Sequence, residues 1–161
     1  MAVGHVTDYY LDPGCIFFSK TPTNVRTVVG SCVVVCLWDK KLNFGGMSHF
    51  QYPSTPEHSE ATARYGNAST LQLLRLMYGA GCKSASLVAQ ILGGARPAHA
   101  PRDRMGERNV AAAREVLARN KVTILSEDVG GTMGRKLAFN TGTGEVAVLK
   151  VHRLRSSDWS A

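Results

Sequence analysis

Apolar residues, many of them β-branched, gather in seven short runs along the chain, separated by segments rich in polar residues, glycine and proline. Runs of this length and composition are typical of β-strands. They predict strands at residues 25–29, 32–38, 44–52, 86–92, 122–127, 136–140 and 145–151. A glycine-containing turn at residues 141–144 joins the last two predicted strands.

Two further segments, residues 61–78 and 107–120, repeat their apolar residues at helical spacing and predict helices. Loops are predicted at residues 53–60 and 95–105, where prolines interrupt the pattern. Two helices among seven strands indicate an α/β (α+β) fold, a mixed β-sheet sandwich with flanking helices. No repeat, low-complexity stretch or long linker divides residues 1–161, so we expect a single domain.

The composition of the 161 residues, 44% hydrophobic and 19% charged, is that of an ordinary globular protein. The longest strongly apolar run, Val33 to Trp38, is far shorter than the ~20 residues that a membrane-spanning helix needs. The first ten residues lack the basic segment followed by an apolar segment that is typical of a signal peptide. We therefore expect a cytoplasmic protein without membrane insertion.

The charge balance of 19 basic against 12 acidic residues gives a net charge of +7, which favours acidic partners. Among the basic residues, Arg135 and Lys136 follow a glycine-rich turn and are candidates for such a contact. The basic residues are otherwise scattered, and aromatic residues, which stack on single-stranded bases, make up only 7% of the chain. A nucleic-acid binder is therefore a less favoured class, and we expect no nucleic-acid partner.

The four cysteines are Cys15, Cys32, Cys36 and Cys82, too few for a disulfide framework in a chain of this length. Cys32 and Cys36 lie in one predicted strand, where four residues span about 13 Å at about 3.3 Å each. That span is too long for a disulfide and for a shared metal ion in an unbent strand. Residues 131–136 also fail the spacing of a phosphate-binding loop, so we expect neither a metal nor a nucleotide.

The pair Cys32 and His49 is a better candidate for a reactive site than the pair Cys32 and Cys36. If the strands on either side of residues 40 and 41 form a hairpin symmetric about that point, Cys32 stands directly opposite His49. Opposed side chains lie about 5 Å apart, within reach of a thiol–imidazole contact. An imidazole can take the proton of a thiol and later protonate a leaving amine. A buried cysteine beside a histidine of the core is the alternative that the pattern leaves open.

Six separated motifs then resemble, in order and spacing, those of the CheD family of chemoreceptor glutamine deamidases. They are Gly30-Ser31-Cys32-Val33, Gly45-Gly46-Met47-Ser48-His49-Phe50, Arg64-Tyr65-Gly66, Gly93-Gly94-Ala95, Gly106-Glu107-Arg108-Asn109 and the segment from Glu127 to Lys136. The resemblance runs from about Arg26 to Val151. It implies a fold similar to that of the toxin deamidases of the cytotoxic necrotizing factor type.

The resemblance also implies an activity, the conversion of glutamines of methyl-accepting chemotaxis receptors to glutamate with release of ammonia. By the same resemblance, Cys32 is the nucleophile and His49 the general base and acid, and no metal or organic cofactor is needed. The third catalytic residue of the family is a threonine shortly before the cysteine. Arg26 stands six residues before Cys32, and Thr27 is the nearest threonine. The alternative function is a binding module for a CheC-type phosphatase, with little or no deamidase activity.

Overall fold

The computed structural model describes residues 6–55, 57 and 62–159 and contains nine strands and two α-helices within them. The strands are β1 (Thr7–Tyr10), β2 (Ile16–Ser19), β3 (Thr23–Val29), β4 (Val33–Asp39), β5 (Gly45–Phe50), β6 (Leu87–Gly93), β7 (Thr123–Val129), β8 (Gly134–Asn140) and β9 (Val146–Val151). The helices are α1 (Gly66–Gly79) and α2 (Met105–Arg119). Short 3₁₀ turns lie at Ser84–Ser86 and Ser156–Trp159.

The strands form two mixed sheets. The first sheet has the order β1-β3-β8-β9, with β1 parallel to β3 and the other pairs antiparallel. The second sheet has the order β2-β5-β4-β6-β7, with β7 parallel to β6. The chain crosses from the first sheet to the second between β3 and β4, so these consecutive strands do not pair.

The core has two layers, one on each face of the second sheet. On β4, Val33, Val35 and Leu37 pack with residues of α1 and α2. Val34 and Cys36 point the other way and pack between the two sheets, against residues of β3 and β8. Because both faces of β4 are covered, its sequence is one continuous apolar run rather than an alternating one. The predicted sandwich with flanking helices is confirmed.

All seven predicted strands and both predicted helices are present, with shifted ends. The first helix begins at Gly66, so the predicted start at residue 61 is wrong: residues 62–65 form a turn in which Tyr65 N–H donates to Thr62 O at 3.1 Å. Of the predicted loop at 53–60, residues 56 and 58–60 lie outside the described part, as does residue 61. The pattern missed β1 and β2, which have only four residues each and no fully buried residue.

The predicted hairpin register is wrong by two residues. Trp38 pairs with Gly45, and Val34, not Cys32, pairs with His49. The hairpin is centred between residues 41 and 42 rather than between 40 and 41, because Asp39 N–H donates to Phe44 O at 2.8 Å and the buried Asp39 carboxylate accepts the N–H groups of residues 41 and 42. Because the pairing of β4 with β5 shifts by an even number of residues, each side chain stays on the face of the sheet that the pattern predicts.

Within the described residues, no helix combines the length and the apolar character needed to cross a membrane.

Candidate functional site

His49 is the most unusual residue of the inter-sheet layer, because it is a fully buried imidazole among apolar side chains. It lies near the end of β5, and Val34 is its partner across the hairpin. Its Nδ1 is 2.9 Å from Oγ1 of Thr27, which is also buried and comes from β3 of the other sheet. The contact therefore joins the two sheets.

The hydrogen bonds of Thr27 determine the tautomer of His49. The Thr27 hydroxyl donates its one proton to the backbone oxygen of Leu11 at 2.8 Å. It can then only accept from His49, so the imidazole carries its proton on Nδ1. The other ring nitrogen, Nε2, is buried and has no hydrogen-bond partner in the described structure. A free lone pair on Nε2 is the arrangement that a general base requires.

Burial lowers the pKa of His49 from its ordinary value of 6.5 to about 4. The side chain bonded to the imidazole is the neutral hydroxyl of Thr27, so within the described structure no carboxylate offsets this loss of hydration. The ring is therefore neutral at physiological pH and able to accept a proton.

Cys32 lies in the turn at which the chain crosses between the sheets, one residue before β4 begins. It precedes Val34 by two residues, so it is a diagonal neighbour of His49, and it packs against the inter-sheet cluster while remaining partly exposed. Diagonal neighbours in a regular sheet are about 7–8 Å apart. Burial raises the pKa of its thiol to about 11, and the backbone N–H of Cys32 itself opposes this shift.

The turn of residues 30–32 is attached to the second sheet through its carbonyl groups. Ala95 N–H donates to Gly30 O at 3.0 Å, and Gly94 N–H donates to Cys32 O at 2.8 Å. In the described structure, the N–H groups of Ser31 and Cys32 donate to no other backbone carbonyl. Amides that lie beside a thiol and donate to no carbonyl are suited to bind an oxyanion.

A groove of about 510 Å³ opens beside this turn. Gly30 and Ser31 form part of its wall, and the loop after β6 and the segment after β9 add His99, His152 and Arg153. No aspartate or glutamate of the described chain lines it. Arg153 is therefore the one charged side chain among the described lining residues, and the groove adjoins Cys32 along the backbone.

The remaining cysteines do not join the site. Cys36 and Cys82 are buried, where loss of hydration raises the pKa of both thiols, and Cys15 is exposed on the segment before β2. His5 and His58 lie outside the described residues. In the part of the chain that the structure describes, no three His, Cys, Asp or Glu residues come close enough to hold a metal ion.

Arg135 differs from its predicted role as a contact for an acidic partner. It is almost fully buried and forms an ion pair with Asp128 at 3.1 Å, while its guanidinium also donates to Gly130 O at 2.9 Å. Its charge therefore holds the turn between β7 and β8. Lys136 pairs with Asp158 at 2.9 Å.

The structure thus brings two of the three predicted site residues, Thr27 and His49, into contact, and it places Cys32 in the same layer. The pattern of the sequence could not predict the contact between Thr27 and His49, because it depends on how one sheet lies over the other.

Comparison with known proteins gives a consistent result. Residues 51–150 match the family described as "CheD chemotactic sensory transduction". A protein of Anaeromyxobacter dehalogenans is 42% identical over 84% of this chain and 80% of its own length. Proteins of Trichlorobacter lovleyi (36%, over 88% of this chain and 89% of theirs) and Sulfurimonas denitrificans (33%, over 89% and 94%) are also similar. The last two are named "Probable chemoreceptor glutamine deamidase CheD", and the first is named "Probable chemoreceptor glutamine deamidase CheD 1". The chain belongs to the CheD family.

Proposed function

We propose that this protein is a chemoreceptor glutamine deamidase in which Cys32, His49 and Thr27 carry the reaction within a single domain. The observation that supports this most is the state of His49, a buried neutral imidazole with its Nδ1 held by Thr27 and its Nε2 free. A histidine with a purely structural role in the core does not require one ring nitrogen held by a hydroxyl and the other left buried without a partner. The names of the relatives supply the substrate, a glutamine of a chemoreceptor.

In the first half of the reaction, Nε2 of His49 takes the proton of the Cys32 thiol as sulfur attacks the carboxamide carbon of the glutamine. The carbon–sulfur bond forms, and the carbonyl π electrons move onto oxygen, where the amides near residues 31 and 32 stabilise the charge. The oxyanion then collapses, the carbon–nitrogen bond breaks, and the departing nitrogen takes the proton from His49. Ammonia leaves and a thioester remains.

In the second half, a water molecule gives a proton to Nε2 of His49 and attacks the thioester carbon. The carbon–sulfur bond breaks, and the thiolate takes the proton back from His49. The sum is glutamine and water giving the carboxylic acid and ammonia, which at neutral pH become glutamate and ammonium. The cycle returns both Cys32 and His49 to their starting state and needs no metal or organic cofactor.

The pKa values of the pair fit proton transfer during attack rather than a stored ion pair. Burial raises the pKa of Cys32 to about 11 and lowers that of His49 to about 4. Both shifts favour the neutral thiol and the neutral imidazole in the free protein. The thiolate therefore forms only as the reaction begins, when the developing charge moves onto the substrate oxygen.

The groove beside Gly30 and Ser31 is the proposed entry for the receptor segment that carries the glutamine. Arg153 gives its wall a positive charge, which suits an acidic receptor surface. The receptor acts in this scheme as a macromolecular substrate rather than as a lasting partner.

The alternative of a binding module for a CheC-type phosphatase gains no support from the described residues. It depended on Arg26 at the position six before Cys32. Arg26 is exposed on β3, while its neighbour Thr27 is buried and bonded to His49. Thr27 therefore contacts His49 although it stands one residue later in the sequence than the position six before Cys32.

The deciding experiment incubates the protein with a receptor cytoplasmic fragment and maps glutamine-to-glutamate conversion by peptide mass spectrometry. We expect Cys32→Ala and His49→Ala each to lower conversion by at least about a thousandfold, the scale seen when a nucleophile or its base is removed. Cys36→Ala, which changes a buried thiol of the same β4 face, is the matched control and should keep near-normal conversion. Conversion that persists in Cys32→Ala contradicts the mechanism.

A wild-type protein that binds a CheC-type phosphatase but converts no receptor glutamine favours the alternative function instead.

A further inference from the structure

Asn109 is a buried polar residue that the proposed reaction does not use. It lies in α2, is fully buried, and belongs to a helix whose other buried side chains are apolar. An amide costs free energy when it is buried without partners. The contacts of Asn109 therefore indicate which backbone segments it holds in place.

Both of its contacts are with the segments that carry the proposed nucleophile and base. Asn109 Nδ2 donates to Ser31 O at 2.9 Å and to Gln51 O at 3.1 Å. Ser31 directly precedes Cys32, and Gln51 follows His49 by two residues. One amide group thus bridges the backbone before β4 and the backbone after β5.

The orientation of the amide follows from the same contacts. Two carbonyl oxygens can be satisfied only by the NH₂ group, which has two protons to donate. The Oδ1 atom points away from them, is buried, and has no partner in the described structure. The side chain is therefore held by its donors alone.

The helix itself is fixed against the turn of residues 93–95. A Cβ on Gly106 would overlap the carbonyl groups of Gly94 and Ala95, so the first turn of α2 lies directly on that backbone. Gly94 and Ala95 are the residues whose N–H groups hold Cys32 O and Gly30 O. With Asn109 on Ser31 O, all three carbonyls of the 30–32 turn have a donor.

We infer that Asn109 is a positioning residue, which sets the separation of Cys32 from His49 and aims the amides of the 30–32 turn at the substrate oxygen. The inference rests on the proposed function, since it concerns the geometry of the same reaction. A misplacement of about 1 Å in a reacting group costs on the order of a hundredfold in rate. Substrate binding in the groove does not involve Asn109, so the effect belongs to kcat.

The test compares Asn109→Ala with wild type in two assays. In the first, we expect kcat for a receptor fragment to fall at least tenfold while KM stays within twofold. In the second, iodoacetamide alkylation at pH 8 is followed for each cysteine by mass spectrometry. Release of the 30–32 turn should expose Cys32 to water, so its alkylation should become at least threefold faster although the enzyme is slower.

The two buried cysteines distinguish positioning from general loss of structure. In a folded Asn109→Ala variant, Cys36 and Cys82 should stay unmodified while Cys32 reacts. Asn120→Ala, which removes the same kind of side chain from the other end of α2, is the control and should change neither assay.

The inference is overturned if kcat stays within twofold of wild type, or if Cys36 and Cys82 are alkylated together with Cys32. A wild-type protein that converts no glutamine refutes the proposed function only. In that case the alkylation assay still decides, because an unchanged Cys32 rate in Asn109→Ala shows that Asn109 does not hold the turn.

Discussion

Thr27 performs two tasks with one oxygen atom, since it donates to Leu11 O and accepts from His49 Nδ1. The first bond fixes the hydroxyl, and the second fixes the imidazole. Neither bond involves a charge, so His49 keeps a pKa of about 4 instead of the higher value that a carboxylate neighbour would give it. In the proposed reaction, the threonine thus orients His49 without making it cationic.

Thr27→Val tests this role, because valine matches the shape of threonine and removes its oxygen. Without the acceptor, His49 can carry its proton on Nε2, where it blocks the base. We expect kcat to fall by about 10²–10⁴-fold, the scale seen when a triad histidine loses its orienting partner. Receptor deamidation measures the effect. Thr27→Ser, which restores the hydroxyl, should recover most of the rate; equal losses in both variants would contradict the assignment.

His49 also makes stability depend on pH. Its pKa is about 4 in the folded protein and 6.5 ordinarily, so unfolding below pH 6.5 takes up a proton. The contribution of the neutral imidazole to the free energy of unfolding is complete above pH 6.5 and is lost as pH falls toward 4. Between these values the free energy of unfolding changes with a slope that approaches about 1.4 kcal/mol per pH unit. Urea unfolding of wild type and His49→Gln between pH 7.5 and pH 5 measures the difference.

The wild-type free energy of unfolding should decline more steeply than that of His49→Gln over this range. Four carboxyls have pKa values below their ordinary values, so they titrate mainly below this pH range. They are Glu107, Glu127, Asp128 and Asp158. Identical slopes in the two proteins would show that the imidazole is not held neutral by burial.

At the scale of elements, the β4–β5 hairpin shows what a hydrophobic pattern can and cannot predict. The pattern located both strands and the face of each side chain, because burial is periodic along a strand. It did not predict the register, which depends on a loop held by the Asp39 carboxylate and by Asn43 in the left-handed region (φ 56°). Cys32 and His49 therefore share a layer as predicted but are diagonal rather than opposed.

The strands that the pattern missed illustrate a second limit. β1 and β2 have only four residues each and lie at the edges of the two sheets, and strands this short show too few positions for a clear pattern. Yet the segment between them supplies Leu11 O, the acceptor that fixes Thr27. Part of the candidate site thus comes from a segment with no strong signal of its own.

For the whole molecule, the site depends on the crossing of the chain between the sheets. The first sheet contributes Thr27, and the second contributes His49. Cys32 stands in the turn between them. Strands β3 and β4 are neighbours in sequence but belong to different sheets, so no pairing rule relates Thr27 to His49 before the sheets are stacked. The resemblance to a family named the three residues, and the stacking supplies the reason that Thr27, rather than position 26, contacts the histidine.

The net charge of +7 carries a last prediction, concerning the encounter with the receptor. Arg153 lies exposed on the groove wall with two histidines and no acidic neighbour in the described lining. Attraction between exposed charges is screened beyond about 10 Å at 0.1 M salt. We expect KM for a receptor fragment to rise about three- to tenfold between 50 and 500 mM NaCl, with kcat little changed, since such charges act on the encounter more than on the chemistry.

Arg153→Ala distinguishes the effect of the charge in the groove from the effect of the protein's net charge. It should raise KM at 50 mM NaCl and flatten the dependence on salt. Arg75→Ala, which removes an equal charge from the exposed face of α1, is the matched control and should leave the slope close to that of wild type. If both variants shift KM equally, the encounter is driven by net charge alone. A KM that does not change with salt in the wild-type protein would mean that the receptor is recognised by shape and apolar contact, and the positive charge of the groove wall would then have no part in substrate binding.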